Sequence, residues 1–132
     1  MQSLSNYRRL ITWGLVAYTV ALLLGTHLPK DAIPELHEKD KVIHFVAYLG
    51  LSLLTFAYQD AYDTVRRKGM VAAFIALILF ASADEYTQQF SPGRFSTLSD
   101  WVANCIGIAV GTFVWSLARS RFPSNTNRSE MG

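Results

Sequence analysis

Four long stretches of this chain contain no Asp, Glu, Lys or Arg, and this feature most restricts the folds it can adopt. The stretches are Leu10–Pro29, Val42–Gln59, Met70–Ala83 and Trp101–Ala118. A surface helix of a soluble bundle carries a polar stripe at helical spacing, and these stretches have none. A membrane-spanning helix needs about 20 mostly apolar residues, which the first stretch meets outright and the second and fourth nearly meet. We therefore predict an all-α integral membrane protein, a four-helix transmembrane bundle.

The third stretch is too short to cross a membrane by itself. At about 1.5 Å per residue it covers about 21 Å, against a hydrocarbon core of about 30 Å. We expect the helix to continue through Asp84 and Glu85 to about Phe90, where Pro92 and Gly93 stop it. Two carboxylates then lie inside the end of a spanning helix. Charged groups are rarely kept in hydrocarbon without a partner or a function.

Composition narrows the class of protein further. The chain has 132 residues, of which 51% are hydrophobic and only 17% charged, so we expect one domain that is more apolar than a soluble one. The net charge of +2 is too small to indicate a nucleic-acid partner. Cys105 has no second cysteine for a disulfide or a zinc site, so it is interpreted as a packing residue. We predict no cofactor, and no metal site, since only one histidine lies at a suitable depth.

Lysine and arginine are distributed unequally between the two ends of the predicted helices. Eight of the 12 share one side with both termini, and the other side has four: Lys30, Lys39, Lys41 and Arg94. Cytoplasmic loops carry the excess of positive charge, so we expect both termini to be cytoplasmic. Residues 1–9 are then a cytoplasmic N-terminus, residues 10–118 the transmembrane domain, and residues 119–132 a polar, disordered cytoplasmic tail.

Polar residues lie at the start of the second predicted helix, on the side of the membrane opposite the two termini. Asp40 precedes Lys41, His44 and Tyr48, whose i, i+3, i+7 spacing places them on one face. One interpretation is that a cation and an imidazole point into the bundle. The alternative is that Lys41 extends to the interface and His44 is a hydrogen-bonded core residue.

Polar residues of the third helix and the loop after it lie on that same side. Asp84 and Gln88 are one helical turn apart, and Glu85 is beside them. The turn at Pro92 and Gly93 holds Arg94 at a fixed distance, and arginine is the preferred side chain for binding phosphate or carboxylate. The predicted site therefore contains both cations, Lys41 and Arg94, and carboxylates. The alternative is an ion-pair clasp that locks the helix ends, which would resemble a functional site.

The fourth helix presents a continuous face to a neighbour. Asp100, Asn104, Gly107 and Gly111 recur at i, i+4, i+7 and i+11, and the two glycines permit a close approach of helices. Either Ser99 or Asp100 can serve as the N-cap of this helix. The first helix is interpreted as a scaffold, with few polar groups: Thr12, Thr19, Thr26 and His27.

These motifs resemble those of the VanZ-like membrane protein family. Asp-Lys-x-x-His-Phe-x-x-Tyr, from Asp40 to Tyr48, is similar to its first motif. The family's second, longer motif is matched by three pieces of this chain: Glu85-x-x-Gln88, Phe90-x-Pro92-Gly93-Arg94 and Asp100-x-x-x-Asn104-x-x-Gly107. The resemblance covers roughly residues 40–111. It implies a bacterial multi-pass membrane protein, and the family's namesake is linked to resistance to the glycopeptide antibiotic teicoplanin. Asp84 lies beside the motif and is included on physical grounds.

Three classes of function stay open from the sequence. The first is binding or modification of a lipid-linked cell-envelope molecule, such as a glycan precursor or a phospholipid, in the bacterial cytoplasmic membrane. Its candidate catalytic residues are Glu85, His44 and Asp100, and its candidate binding residues are Asp40, Lys41, Tyr48, Asp84, Gln88, Arg94 and Asn104. The second is a structural scaffold in which the charged cluster is a clasp. The third is a small transporter, disfavoured because coupling sites lie near the midplane.

Overall fold

Four α-helices make up almost all of the chain that the structure describes. The computed structural model describes residues 2–28, 40–62, 64, 67–93 and 97–121. The helices are α1 (Gln2–His27), α2 (Asp40–Ala61), α3 (Arg67–Gln88) and α4 (Leu98–Arg121). Each is long and apolar enough to cross a membrane. The predicted all-α, four-helix architecture is therefore confirmed.

The helix boundaries agree with the expectation at α3 and differ at α1. Helix α3 continues past Asp84 and Glu85 and ends at Gln88, and Gly93 adopts the positive φ of 71° that the predicted turn requires. Helix α1 begins at Gln2 and includes residues that the sequence assigned to a separate N-terminal segment. Most of the predicted tail, from residue 122 onward, lies outside the described residues.

Helices α2 and α4 form the most closely packed pair in the bundle. A Cβ added at Gly107 would collide with the carbonyl oxygen of Phe45, and one added at Gly111 would lie 2.8 Å from Cβ of Ser52. Ser52 Oγ also donates a hydrogen bond of 3.2 Å to the Ile108 carbonyl. The two glycines therefore allow the backbones to approach, as the sequence predicted.

Polar side chains are buried inside the bundle at one of its ends. Apolar side chains cover its outer surface along the whole length of the helices. Its buried apolar core includes Tyr48, Leu51 and Ile108. Large apolar side chains such as Leu10 and Trp13 instead face outward, exposed by 73% and 69%. Such a surface would promote aggregation in water and suits contact with hydrocarbon. The distribution is that of a multi-pass membrane protein.

Candidate functional site

The polar residues of all four helices converge at one end of the bundle. Because the helices alternate in direction, the C-terminal ends of α1 and α3 meet the N-terminal ends of α2 and α4. We call this region the polar end. Most of its polar side chains are buried: Thr26, His44, Asp84, Glu85, Gln88, Asp100 and Asn104. The predicted convergence of the two polar groups is therefore confirmed.

Asp84 joins three helices through hydrogen bonds to its carboxylate. Tyr48 Oη donates to Oδ2 at 2.7 Å, Gln88 Nε2 donates to the same oxygen at 3.0 Å, and Thr26 Oγ1 donates to Oδ1 at 3.0 Å. His27 Nδ1 lies 3.7 Å from Oδ1. Two hydroxyl groups and one amide thus direct hydrogen-bond donors at a buried carboxylate.

His44 connects α2 to α4 and faces a second carboxylate. Its Nδ1 lies 2.9 Å from Asn104 Oδ1, and its Nε2 lies 3.6 Å from Asp40 Oδ1. Asn104 Nδ2 is buried and has no hydrogen-bond partner among the described residues. Asn104 thus fixes the orientation of the imidazole, as a third group does in many proton-transfer sites.

Glu85 and Asp100 are both engaged at the start of α4. Glu85 Oε1 accepts a 3.1 Å hydrogen bond from the backbone N–H of Thr97. Thr97 Oγ1 accepts a 3.3 Å bond from the Asp100 N–H and donates a 2.6 Å bond to Asp100 Oδ2. Thr97 is therefore the N-cap of α4, and the prediction of Ser99 or Asp100 was wrong. Asp100 instead occupies the third helical position, where carboxylates commonly complete a cap.

Of the two predicted cations, the structure describes Lys41. Lys41 is exposed at the first turn of α2, next to half-buried Asp40. Arg94 lies outside the described residues. Within the described chain, Asp84 is contacted by hydroxyl, amide and imidazole groups rather than by lysine or arginine. Among the described residues, Asp84 is therefore held by a hydrogen-bond network and not by the ion pair that the clasp interpretation predicted.

Three residues of the polar end were not predicted as site residues. Thr26 and His27 contact Asp84 from α1, which the sequence assigned to a scaffold role. The sequence indicated their involvement in one way only: Thr26 and His27 lie on the same predicted side of the membrane as Asp84 and Glu85. Thr97 precedes Asp100 by three residues, a spacing typical of a helix N-terminus.

A cavity of about 430 Å³ lies beside this cluster, between α1 and α2. Ligand pockets commonly have volumes of about 300–1,000 Å³. Its walls are mostly apolar, with Thr26, Asp40 and His44 as the polar lining. Leu28 and Ile43 also line it and are exposed on the outer surface. Part of the described cavity lining therefore belongs to the apolar outer surface of the bundle. Within the described ranges, no three His, Cys, Asp or Glu side chains lie close enough together to hold a metal ion.

The protein-family model VanZ/LLP1 matches residues 4–119 of the chain. The chain belongs to the VanZ/LLP1 family. No match was found among curated proteins or among solved structures. In this VanZ/LLP1 protein the two motifs recognised in the sequence are in direct contact. His44 of the first motif pairs with Asn104 of the second, and Tyr48 of the first bonds to Asp84, adjacent to the second.

Proposed function

We propose that this VanZ/LLP1 protein binds or modifies a lipid-linked cell-envelope molecule at the outer face of the bacterial cytoplasmic membrane. The observation that carries the proposal is a buried polar cluster beside a mostly apolar cavity whose lining includes residues of the outer surface. Polar and ionisable side chains within membrane helices are costly and commonly mark functional sites. A lipid-linked molecule could place its chain in hydrocarbon and its head at the polar end.

The distribution of charge supports the proposed orientation. At the end opposite the polar end, the described helices carry Arg8, Arg9, Arg67, Lys68, Arg119 and Arg121. At the polar end the described cation is Lys41. The excess of positive charge is typical of the cytoplasmic side, so both termini are cytoplasmic in this proposal. An effect on sensitivity to glycopeptide antibiotics would then be a consequence of altered envelope chemistry.

A catalytic role would depend chiefly on His44. Its imidazole lines the cavity and is oriented by Asn104, so it can exchange a proton with a bound head group. Glu85 and Asp100 both contribute oxygens to the start of α4. This engagement leaves them better suited to positioning than to proton transfer.

The alternative function is a structural scaffold with the polar end as a clasp. The contact between Glu85 and the Thr97 N–H favours it, because this bond ties α3 to α4. Glu85→Gln keeps an acceptor for this N–H but removes the charge, and hydrogen bonds to charged groups contribute about 1.5–3 kcal/mol against about 0.5–1.5 kcal/mol for neutral ones. A clasp therefore predicts a loss of about 1 kcal/mol of stability in Glu85→Gln, whereas a binding site predicts loss of ligand with the stability unchanged.

Native mass spectrometry on the detergent-purified protein tests the two functions. The wild type would be compared with His44→Gln and Glu85→Gln, and thermal stability recorded for each. Asp60→Asn is the matched control, because Asp60 pairs with Arg119 at 3.2 Å at the other end of the bundle. We expect the wild type and the control to retain a discrete lipid-linked species that His44→Gln loses while still folded. If the wild type retains no species and Glu85→Gln melts at a lower temperature than Asp60→Asn, the site is a clasp.

A further inference from the structure

Another cavity lies on the outer surface of α3, at the end of the bundle opposite the polar end. It is an open groove of about 470 Å³, a volume common among ligand pockets. Its described lining residues are Arg67, Lys68, Val71, Ala72 and Ile75. Val71 and Ile75 are exposed by 54% and 53%, so the apolar part of the groove belongs to the outer surface of the bundle. Two cations therefore lie at the head of an apolar groove.

The two cations of the groove differ from other cations at this end of the bundle. Arg8 donates a 2.7 Å hydrogen bond to a backbone carbonyl of α2, and Arg119 lies 3.2 Å from Asp60. The side chains of Arg67 and Lys68 are exposed, with no hydrogen bond or ion pair to another described residue. They are therefore available to an external anion, and the positive end of the α3 dipole adds to their attraction for it.

An anionic phospholipid matches the groove in both charge and length. Arginine is the preferred side chain for binding phosphate, and Lys68 adds a second positive charge beside Arg67. Helix α3 rises about 12 Å between Arg67 and Ile75, so an acyl chain can follow Val71 and Ile75 from the head group into hydrocarbon. The described lining contains no Asp or Glu that would repel a phosphate. Basic pockets at the cytoplasmic ends of membrane helices bind anionic head groups in the same way.

We infer that this groove binds an anionic phospholipid, with its phosphate at Arg67 and Lys68 and one acyl chain along Val71 and Ile75. In the proposed orientation the groove lies in the cytoplasmic leaflet. The inference goes beyond the proposed function, because the groove lies at the opposite end of the bundle from the polar end. The alternative is that both cations extend into the head-group layer as ordinary interfacial residues. Any pair of exposed cations at this end would then attract anionic lipid equally.

Competition between two lipids with identical acyl chains tests the head-group assignment. The full-length protein in detergent would be titrated with equal amounts of phosphatidylglycerol, which is anionic, and phosphatidylcholine, which is zwitterionic. Bound lipid would be counted by native mass spectrometry. We expect phosphatidylglycerol to be retained about tenfold over phosphatidylcholine, which corresponds to about 1.4 kcal/mol. Equal retention of both lipids by the wild type would overturn the inference.

Two double variants separate a defined site from general attraction to this end of the bundle. Arg67→Gln with Lys68→Gln should remove the preference for phosphatidylglycerol. Arg9→Gln with Arg121→Gln removes the same charge from two exposed residues at the same end, neither of which is in the described lining. This control should keep the preference. Equal losses in the two double variants would show general attraction and overturn the inference.

Two exposed alanines of α3 offer a matched test of the apolar part of the groove. Ala72 lines the groove, whereas Ala83 is exposed near the other end of the helix. Ala72→Trp should fill the groove and lose the bound phosphatidylglycerol, and Ala83→Trp should retain it. An excess of inorganic phosphate should leave the lipid bound to the wild type, because phosphate has no acyl chain. Full retention by Ala72→Trp, or displacement of the lipid by inorganic phosphate, would overturn the assignment of a phospholipid to this groove.

One further variant separates the inference from the proposed function. His44→Gln alters the polar end and should leave the retention of phosphatidylglycerol unchanged. If the wild type retains a lipid-linked species that His44→Gln loses but does not prefer phosphatidylglycerol, the inference fails and the proposed function stands. If the groove variants behave as expected and His44→Gln loses no bound species, the inference stands and the proposed function fails.

Discussion

Replacing Tyr48 with phenylalanine isolates one hydrogen bond of the polar end. Tyr48 is fully buried, and its hydroxyl donates to Asp84 Oδ2 at 2.7 Å. Phenylalanine keeps the ring, so the substitution removes little more than this donor. Hydrogen bonds to charged groups contribute about 1.5–3 kcal/mol, whereas interhelical polar contacts measured in a membrane protein average about 0.6 kcal/mol. Asp84 still accepts bonds from Thr26 and Gln88, so we expect a loss of about 1–2 kcal/mol.

The assay is reversible unfolding in mixed micelles, from which the free energy of unfolding is obtained. Tyr18→Phe is the matched control, because Tyr18 Oη donates at 2.9 Å to the neutral carbonyl oxygen of Ala47. A neutral hydrogen bond contributes about 0.5–1.5 kcal/mol, so the control should lose less. A double-mutant cycle of Tyr48→Phe with Asp84→Asn should give a coupling energy of at least about 0.5 kcal/mol. Equal losses in the two variants, with no coupling, would refute the role assigned to Asp84.

Three further variants test the packing, the cap and the topology. Gly107→Ala should lower the free energy of unfolding by about 1–3 kcal/mol, because its methyl group meets the backbone of α2; Gly14→Ala should cause no loss in the same assay. Thr97→Ala should cost about 1 kcal/mol and speed hydrogen exchange in the first turn of α4, where the cap is lost. In a Cys105→Ala background, single cysteines at Ser3 and Ser120 should react with an impermeant thiol reagent from the same, cytoplasmic side; labelling from opposite sides would contradict an even number of spans.

The fold could be predicted because hydrocarbon imposes strict conditions on sequence. Four charge-free segments define four helices, and the short apolar run of α3 required its extension into Asp84 and Glu85. Gly107 and Gly111 could be assigned to close packing because their spacing repeats on one helical face, and the structure places α2 against both. Features that depend on residue spacing within one helix could therefore be predicted from the sequence.

Contacts between helices were harder to predict. Thr26 and His27 are isolated polar residues on an apolar helix, and spacing within α1 cannot show that they contact Asp84. Lys41 shares a helical face with His44, yet it lies in the first turn, where a long side chain can remain exposed. The roles assigned to Lys41 and Arg94 in ligand binding stay predictions.

Photo-crosslinking in living bacteria tests the central claim most directly, because it detects the ligand before detergent is added. A photoreactive amino acid at Ile43, which lines the cavity, would be compared with one at Val110, exposed on α4. We predict that the Ile43 protein forms an adduct of one discrete lipid-linked mass, and that His44→Gln abolishes it. The same mixture of bulk lipids at both positions, unchanged by His44→Gln, would contradict a binding site at the polar end.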